Sequence, residues 1–319
     1  MISLPAKSSI AAESGPGPTR RRRGLNRERL LRSSVPYLLI LPVVVAVGAV
    51  LGYPLYYLVR ISLEQYGLPE LIQRSGKWVG LHNFGSVLHD SVFWDTLERT
   101  VVFTIVNVSL TMIIGTLLAL LLVRVSTLIR ISLTVGLVLV WSMPAVVAVQ
   151  VWYWMTNFEN GVVSYIFGLG QHDWYATPFQ QLSMVTALIV WAAIPFVVIT
   201  VYAGLAQVPG ELVEAAEIDG ARPWRVFRDV TFPVLKPIFL ILTSLSIIWD
   251  FGVFTQPYLL IGAGKQHSSN YLMGTYLYQE GYAKTDFGRG AAISILMVLI
   301  VAVLSIFYVR KMVKLGDVQ

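Results

Sequence analysis

Six long apolar runs constrain this chain more than any other feature of its sequence. They cover residues 36–60, 100–123, 129–154, 182–206, 234–260 and 288–308. A helix needs about 20 apolar residues to cross the hydrocarbon core of a bilayer, and each run is long enough. Charged residues make up 13% of the chain, about half the share of a soluble domain. The sequence therefore predicts an all-α polytopic membrane protein with six transmembrane helices.

Several kinds of chemistry are missing from the sequence. The chain has no cysteine, which excludes disulfides, thiol catalysis and cysteine metal sites. The four histidines are scattered and lack the spacing of metal ligands, at His82, His89, His172 and His267. The apolar runs contain no paired carboxylates and no Ser/Lys dyad. We therefore expect no catalytic residues and no metal site, and a membrane-embedded enzyme is disfavoured.

Basic residues are distributed unevenly around the apolar runs. The net charge of +6 does not indicate a nucleic-acid partner, because lysine and arginine cluster where the runs meet water. If both termini are cytoplasmic, 17 of the 24 lysine and arginine residues lie on the cytoplasmic side, as the positive-inside rule requires. We therefore predict a multi-pass membrane protein with cytoplasmic termini. Its long outer loops lie at about residues 61–99, 155–181 and 261–287.

The first 33 residues differ in composition from the rest of the chain. A Ser-, Pro- and Gly-rich stretch leads into four arginines at residues 20–23, and we expect a disordered basic tail near anionic lipid headgroups. A cleavable signal peptide is not expected, because the apolar run that follows is too long. Twin-arginine export is the alternative interpretation. Residues 34–319 form the predicted membrane domain, which includes a polar cytoplasmic loop at residues 207–233.

The polar loop has the signals of two short helices. Pro209 suits the start of the first helix, Glu211 and Glu214 suit its first turns, and Gly220 suits its end. A second helix can begin at Pro223, with arginines and apolar residues on different sides. The small alanines between charged residues offer a surface over which another protein can close. An ordinary amphipathic connector has the same periodicity, so periodicity alone leaves both interpretations open.

The chain has no nucleotide-binding motif of the form G-x-x-x-x-G-K-[ST]. The nearest strings, at residues 76–78 and 262–266, lack both the Ser or Thr and the spacing. Neither string is expected to bind ATP. If ATP drives this protein, another subunit must hydrolyse it.

The polar loop resembles the EAA loop of ABC-importer permeases. The shared pattern is Glu-Ala-Ala-x-x-Asp-Gly-Ala at residues 214–221, followed by Phe227 and by Phe232-Pro233. Other segments resemble further signatures of sugar permeases, at residues 78–84, 250–264 and 288–294. The likeness covers about residues 36–311 and is nearest to the carbohydrate-uptake branch, of the maltose and glycerol-phosphate types.

This resemblance implies one permease subunit of a type I ABC importer with the MetI-like fold. Its partners would be a second permease subunit, two copies of a cytosolic ABC ATPase, an extracytoplasmic solute-binding lipoprotein and membrane lipid. ATP and magnesium would bind to the ATPase, this chain would hold no cofactor, and the solute would be a sugar. The residues implied in coupling to the ATPase are Glu214, Ala215, Ala216, Asp219, Gly220, Ala221, Arg222 and Phe227.

Four residues in the apolar runs are candidates for handling the solute. Asp250 lies about ten residues from the outer end of the fifth run, where a carboxylate facing lipid would cost about 2.5–3.5 kcal/mol, so we expect it to face the bundle or a wet cavity. Trp249 adjoins Asp250, and Trp191 precedes Pro195 by one turn. The resemblance implies that these residues line a sugar site, with Gln150 as a further candidate. Helix packing or an interfacial belt would also explain the tryptophans, and an internal hydrogen bond or a subunit contact would also explain Asp250.

Two other functions fit the composition. A secondary transporter would rely on intramembrane charge pairs and internal repeats, whereas this chain offers one clear buried acid and no evident inverted duplication. An importer of a non-sugar solute such as glycerol 3-phosphate is the second alternative, although no arginine cluster lies in the mid-membrane region. The EAA pattern favours an ABC importer over a secondary transporter, and the importer of a non-sugar solute stays open as the alternative.

Overall fold

A computed structural model describes residues 25–316 of the chain, which are mostly helical. The helices are, in chain order, α1 (Leu25–Ser62), α2 (Leu68–Gln73), α3 (His82–Leu88), α4 (Ser91–Arg124), α5 (Thr127–Trp141), α6 (Ala145–Met155), α7 (Val162–Ile166), α8 (Pro178–Leu205), α9 (Gly210–Ile218), α10 (Pro223–Val226), α11 (Phe232–Phe251), α12 (Thr255–Ile261), α13 (Met273–Tyr278) and α14 (Phe287–Gly316). Strands β1 (Glu64–Gln65) and β2 (Lys77–Trp78) pair antiparallel. Two π-helical turns and one 3₁₀ turn complete the described elements, at Phe227–Thr231, Gln279–Ala283 and Ala263–Lys265.

The chain divides into two compact units. The first ends at Tyr56 and holds most of α1, and the second begins at Tyr57 and holds the other elements. A disordered tail is expected over residues 1–33. Of these, residues 1–24 lie outside the described residues. Residues 25–33 belong to α1.

The six expected spans are present in number and order. Five helical stretches are long and apolar enough to cross a membrane, at Leu39–Ser62, Ser91–Arg124, Pro178–Leu205, Pro223–Phe251 and Phe287–Tyr308. The remaining run forms α5 and α6, which meet at an angle of 103°. Helix α8 is buried over 44% of its apolar window, more than any other of these spans, so it is the central helix of the second unit.

The third apolar run is not the single helix that the sequence predicted. It breaks before Pro144, which has no N–H to continue the helical ladder. Both halves nevertheless lie along α8. Arg130 near the start of α5 donates to the Tyr202 hydroxyl (3.1 Å) near the end of α8, while Thr156, just after α6, bonds the hydroxyl of Tyr175 (2.7 Å), just before α8. The pair therefore crosses the full length of α8 as one broken span.

The fifth run is broken as well, so the prediction of one helix over residues 234–260 is wrong. Helix α11 ends at Phe251, and α12 begins at Thr255. Helix α13 approaches this break closely, since a Cβ atom on Gly274 would lie 2.4 Å from the Val253 carbonyl oxygen. The break thus coincides with a contact between two backbones far apart in sequence, which local sequence signals do not encode.

The halves that follow the two breaks pack together. Helix α12 contacts α6, and both contact α8. Met143 from the first break and Val253 from the second pack against the same buried cluster. Irregular backbone in a membrane is tolerated only where protein or a wet cavity covers its polar groups. The mutual packing of the two broken spans supplies that cover.

Asn83, in the stretch that resembles a sugar-permease signature, organises the first outer loop. Its Nδ2 donates to the carbonyl oxygens of Ser62 and Glu64, both at 2.9 Å, and so fixes the end of α1 to β1. Gly80 provides the reversal before α3 with a φ of +60°, a conformation that favours glycine. The signature therefore has a structural role in this chain.

Glycines allow the central helices to approach closely. A Cβ on Gly115 of α4 would lie 2.6 Å from Val197 Cγ1 of α8, and a Cβ on Gly204 of α8 would lie 2.5 Å from Ile238 Cδ1 of α11. Small residues at helix contacts are typical of membrane proteins, because close backbone approach replaces the hydrophobic effect as the source of packing energy. Helices α4, α8 and α11 form the core that positions the site.

Replacing Gly115 by alanine should lower the thermal stability of the protein. Overpacking of this kind costs about 1–3 kcal/mol, and we expect the Tm in detergent to fall by several degrees. Gly136→Ala in α5 is the matched control, since nothing lies within 4 Å of its Cβ position and alanine is the better helix former. An unchanged Tm for Gly115→Ala would contradict this prediction, because α4 and α8 could then move apart to admit the methyl group without a loss of stability.

Candidate coupling loop and solute pathway

The polar loop begins with α9, which ends in a defined cap. Gly220 has a φ of +75°. The N–H of Gly220 donates to the carbonyl of Glu217, and the N–H of Ala221 donates to that of Ala216, both at 3.0 Å. This pair of bonds is a Schellman cap, in which glycine takes the left-handed position. The predicted end of the helix at Gly220 is confirmed.

The second half of the loop continues into the fifth span without interruption. Helix α10, the π-helical turn and α11 form one helical stretch of 29 residues, Pro223–Phe251. At 1.5 Å per residue its length is about 40 Å. Aromatic rings pack along its first part, with centroids 5.8 Å apart for Trp224 and Phe227 and 6.2 Å apart for Phe227 and Phe232. We call this stretch the coupling rod.

Most residues implied in coupling are accessible on the loop. The exposed ones are Glu214, Ala215, Asp219, Gly220 and Arg222, and the half-buried ones are Ala216, Ala221 and Phe227. Sequence analysis missed two large apolar side chains beside them, Ile218 and Trp224, which are 85% and 69% exposed. In the sequence, each of the two is a large apolar residue in a charged stretch, and this pattern could have identified them. Exposed apolar groups with a charged rim are typical of a surface that binds another protein.

A row of aromatic rings connects the two broken spans. Trp141, the last residue of α5, stacks on Phe196 of α8 at 5.9 Å, and Phe196 lies 5.5 Å from Trp249 near the end of α11. Pro195 has no N–H, so the carbonyl of Trp191 lacks its usual helical donor. The end of α5, the proline position in α8 and the end of α11 therefore lie close together around Phe196. Sequence analysis missed Trp141 and Phe196, because their contacts depend on which helices lie side by side.

Asp250 lies at the end of the coupling rod and not within a longer helix. Its residue is 7% exposed, and among the described residues its carboxylate has no hydrogen bond and no ion pair. An ionised carboxylate withdrawn from water is costly unless it is paired. The internal hydrogen bond that could have explained this residue is therefore absent from the described part of the chain. A hydroxyl-bearing ligand or a partner subunit would satisfy it.

The four solute candidates occupy different places. Trp249 and Asp250 lie at the break after α11. The ring of Trp191 packs 6.0 Å from Trp152 and belongs to the cluster that also contacts Met143 and Val253, so helix packing accounts for it. Gln150 is exposed on α6. Of the four candidates, Trp249 and Asp250 lie at the break after α11 and have side chains that a ligand could contact there.

Ion pairs join the helix ends on the other side of the unit from the polar loop. Arg289 at the start of α14 bonds Asp90 at the start of α4 and lies 3.1 Å from Glu280, which also pairs with Lys284 at 2.7 Å. Burial raises the pKa of Tyr276, which donates to Asp90, to about 12, so its hydroxyl stays protonated. This network is structural. Among residues 25–316 no three His, Asp or Glu side chains are grouped to hold a metal ion.

Five to six apolar spans with an exposed polar loop are the features of a polytopic membrane protein. The chain belongs to the family described as the binding-protein-dependent transport system inner membrane component, which matches residues 111–312. This family membership confirms the type of protein that the EAA pattern predicted.

Curated relatives match nearly the whole chain. The diacetylchitobiose uptake system permease protein DasB of Streptomyces coelicolor is 40% identical over 285 residues, which are 88% of this chain and 87% of the relative. The trehalose/maltose transport system permease protein MalF of Thermococcus litoralis is 32% identical, over 86% of this chain and 92% of the relative.

A solved structure confirms the fold of the permease. A chain of a bacterial ABC transporter involved in the import of alginate superposes with a TM-score of 0.77, covering 90% of this chain and 98% of that chain. Its sequence identity is 18%, so this likeness supports the type I importer fold alone.

Replacing Gly220 by alanine should loosen the end of α9. An alanine in the left-handed conformation costs about 1–2 kcal/mol, so the amides of residues 219–221 should exchange with solvent roughly tenfold faster. Hydrogen exchange on the purified protein measures this. Gly210→Ala at the other end of the helix is the matched control, because Gly210 has no positive φ and open space at its Cβ. Equal exchange in both variants would contradict the role of Gly220 as the cap.

Proposed function

We propose that this chain is one of two permease subunits of an ATP-driven importer that carries a disaccharide-sized sugar across the bacterial cell membrane. The observation that carries the proposal is the coupling rod, which begins in an exposed loop and ends beside an unpaired buried carboxylate. A helix transmits displacement along its axis. A partner that moves the loop therefore moves the break at Asp250.

The relatives support a sugar of this size. At 30% identity or more they include permeases named for diacetylchitobiose, trehalose/maltose and trehalose, all of which are disaccharides. The break offers matching chemistry. The faces of Trp141 and Trp249 can stack on sugar C–H groups, and the carboxylate of Asp250 can accept bonds from sugar hydroxyls.

The partners follow from the loop and from the family description. The exposed surface of α9 docks in a cleft of a cytosolic ABC ATPase, two copies of which bind ATP and magnesium. A second permease subunit completes the pathway, and an extracytoplasmic solute-binding protein delivers the sugar. A relative in fold, the alginate importer, has been solved in complex with its alginate pentasaccharide-bound periplasmic protein. This chain itself holds no cofactor and binds no nucleic acid.

The charge distribution supports the orientation. Both termini and the polar loop lie in the cytoplasm, because that arrangement places 17 of 24 lysine and arginine residues inside. The loop is then on the side where ATP is available. The breaks at Pro144 and Gly252 face the pathway between the two permease subunits.

Transport follows from two states of this assembly. Closure of the ATPase pair on ATP shifts α9, and the coupling rod carries the shift to the break between α11 and α12. The pathway then opens outward and receives the sugar, and hydrolysis returns it to the inward-open state. Nucleotide and loaded binding protein act together because both change the same equilibrium.

Uptake by the complete transporter in liposomes tests the function. We expect ATP-dependent accumulation of a disaccharide when ionophores have abolished the proton and sodium gradients. Uptake that stops when the gradients are abolished would show a secondary transporter and overturn the proposal. Sugar uptake in the absence of the binding protein would contradict its role in delivery.

Ile218→Asp should release the ATPase from the permease. The substitution places a charge at an exposed apolar position in the proposed docking surface, and a buried unpaired charge costs several kcal/mol at an interface. We expect copurification of the ATPase and ATP-driven uptake to fall at least tenfold. Ile72→Asp, at an equally apolar exposed position on α2, is the matched control and should leave copurification unchanged. Normal uptake by Ile218→Asp would remove this residue from the docking surface.

Asp250→Asn should impair uptake without disturbing assembly. The amide keeps the size of the side chain but loses the charge that accepts sugar hydroxyls, and a hydrogen bond to a charged group contributes about 1.5–3 kcal/mol. We expect uptake to fall roughly tenfold or more while all subunits still copurify. Ser246→Ala, one turn earlier on α11 and equally buried, is the control. Wild-type uptake by Asp250→Asn would contradict a role in the pathway.

A further inference from the structure

The loop between α6 and α8 holds four large apolar side chains in solvent-accessible positions. Tyr165, Ile166, Phe167 and Leu169 are between 47% and 87% exposed. We call residues 165–169 the apolar turn. No lysine, arginine, aspartate or glutamate occurs between Glu159 and Asp173. An exposed apolar surface without charges marks an interaction site.

The apolar turn is held in place from its inner side. Ser164 is buried, and its hydroxyl accepts a hydrogen bond from the indole N–H of Trp174 at 2.9 Å. Gly161 packs so closely on Asn157 that a Cβ atom would lie 2.3 Å from the Asn157 carbonyl oxygen. Gly168 reverses the chain with a φ of +65°. The exposure of the apolar side chains is therefore imposed by the fold of the loop.

The apolar turn also lies beside the ends of two helices that form candidate membrane spans. The hydroxyls of Thr156 and Tyr175 are 2.7 Å apart, which brings the end of α6 beside the start of α8. The loop is closed at its base by this contact and by the bond from Gln181 Nε2 to the Tyr175 carbonyl (2.9 Å). Its tip cannot extend far from the ends of the spans.

Exposed aromatic residues continue this surface onto the spans themselves. Tyr153 and Trp154 lie in the last turn of α6, and Phe179 lies in the first turn of α8. Aromatic residues at these positions are typical of the zone between headgroups and acyl chains. The apolar turn is therefore flanked along the chain by exposed aromatic residues at the ends of both candidate spans.

We propose that the apolar turn inserts into the headgroup–acyl boundary of the bilayer and anchors the loop between α6 and α8 to the membrane. Apolar side chains of interfacial elements reach about 5–10 Å below the surface, where their burial is favourable and no charge opposes it. A binding protein that docks transiently is a less suitable occupant, because transient interfaces are about as polar as the rest of a protein surface.

The anchor has a consequence for the neighbouring loop. Gln181 accepts a hydrogen bond from Asn270 (2.7 Å), and Asn270 also bonds the carbonyl of Lys265 (2.8 Å). The anchored loop is thereby connected through buried polar groups to the segment that follows α12. In this proposal the membrane sets the depth of both outer loops relative to the bilayer, while the broken spans move.

Site-directed spin labelling tests the insertion, because the chain has no native cysteine. Ile166→Cys is labelled in the full-length chain, assembled with its partner subunits in vesicles of phosphatidylethanolamine and phosphatidylglycerol. We expect collisions with oxygen, which concentrates in lipid, to exceed collisions with a water-soluble nickel chelate. Labels at Leu117→Cys in α4 and at Ser269→Cys in an outer loop serve as lipid and water references; both positions are exposed.

Two results would overturn the proposal. Nickel accessibility like that of the Ser269 label would place the turn in water. Low accessibility to both reagents would place it against protein, and repeating the measurement without the binding protein would identify which subunit covers it.

A second measurement separates native side chains from the label. A label at Gln171→Cys reports on the turn from a polar, exposed position. Changing Tyr165 and Phe167 to serine should raise its nickel accessibility, since the turn would leave the bilayer. An unchanged accessibility would also overturn the proposal.

Discussion

The need to satisfy every backbone hydrogen bond in hydrocarbon governs this structure. Helices meet that need locally, and wherever a helix stops inside the bilayer another element must cover the free groups. The two broken spans solve the problem for each other, because α6 packs on α12 and both pack on α8. The carboxylate of Asp250 lies at one of these breaks and remains unpaired within the described residues. The candidate solute pathway therefore lies where the spans already contain irregular backbone that a neighbouring helix covers.

The coupling rod joins this break to the polar loop. Its 29 residues pass from the loop through a π-helical turn into the core, where Gly204 lets α8 approach closely. A rigid helix without a break would move as one body along its whole length. The break after Phe251 separates the rod from α12, which packs on α6. If the rod moves as proposed, this break is the hinge.

Much of the architecture was readable from the sequence. The apolar runs gave the number and order of the spans, because the bilayer thickness sets a minimum length that composition reveals directly. The end of α9 was also readable, since a left-handed residue after a helix favours glycine and Gly220 is in that place. The family followed from the Glu-Ala-Ala pattern. In these cases the determining physics acts over a few neighbouring residues.

The sequence by itself determined that the chain has enough apolar runs to cross a membrane several times, and that α9 ends at a glycine cap, because hydropathy and helix capping are local properties. Only the tertiary structure decided where the spans break, that Trp141 and Phe196 join Trp249, and that Trp191 packs in a separate aromatic pair. Those features depend on which helices lie side by side. A span can break only where a neighbour covers its backbone, and sequence distance carries no information about that neighbour.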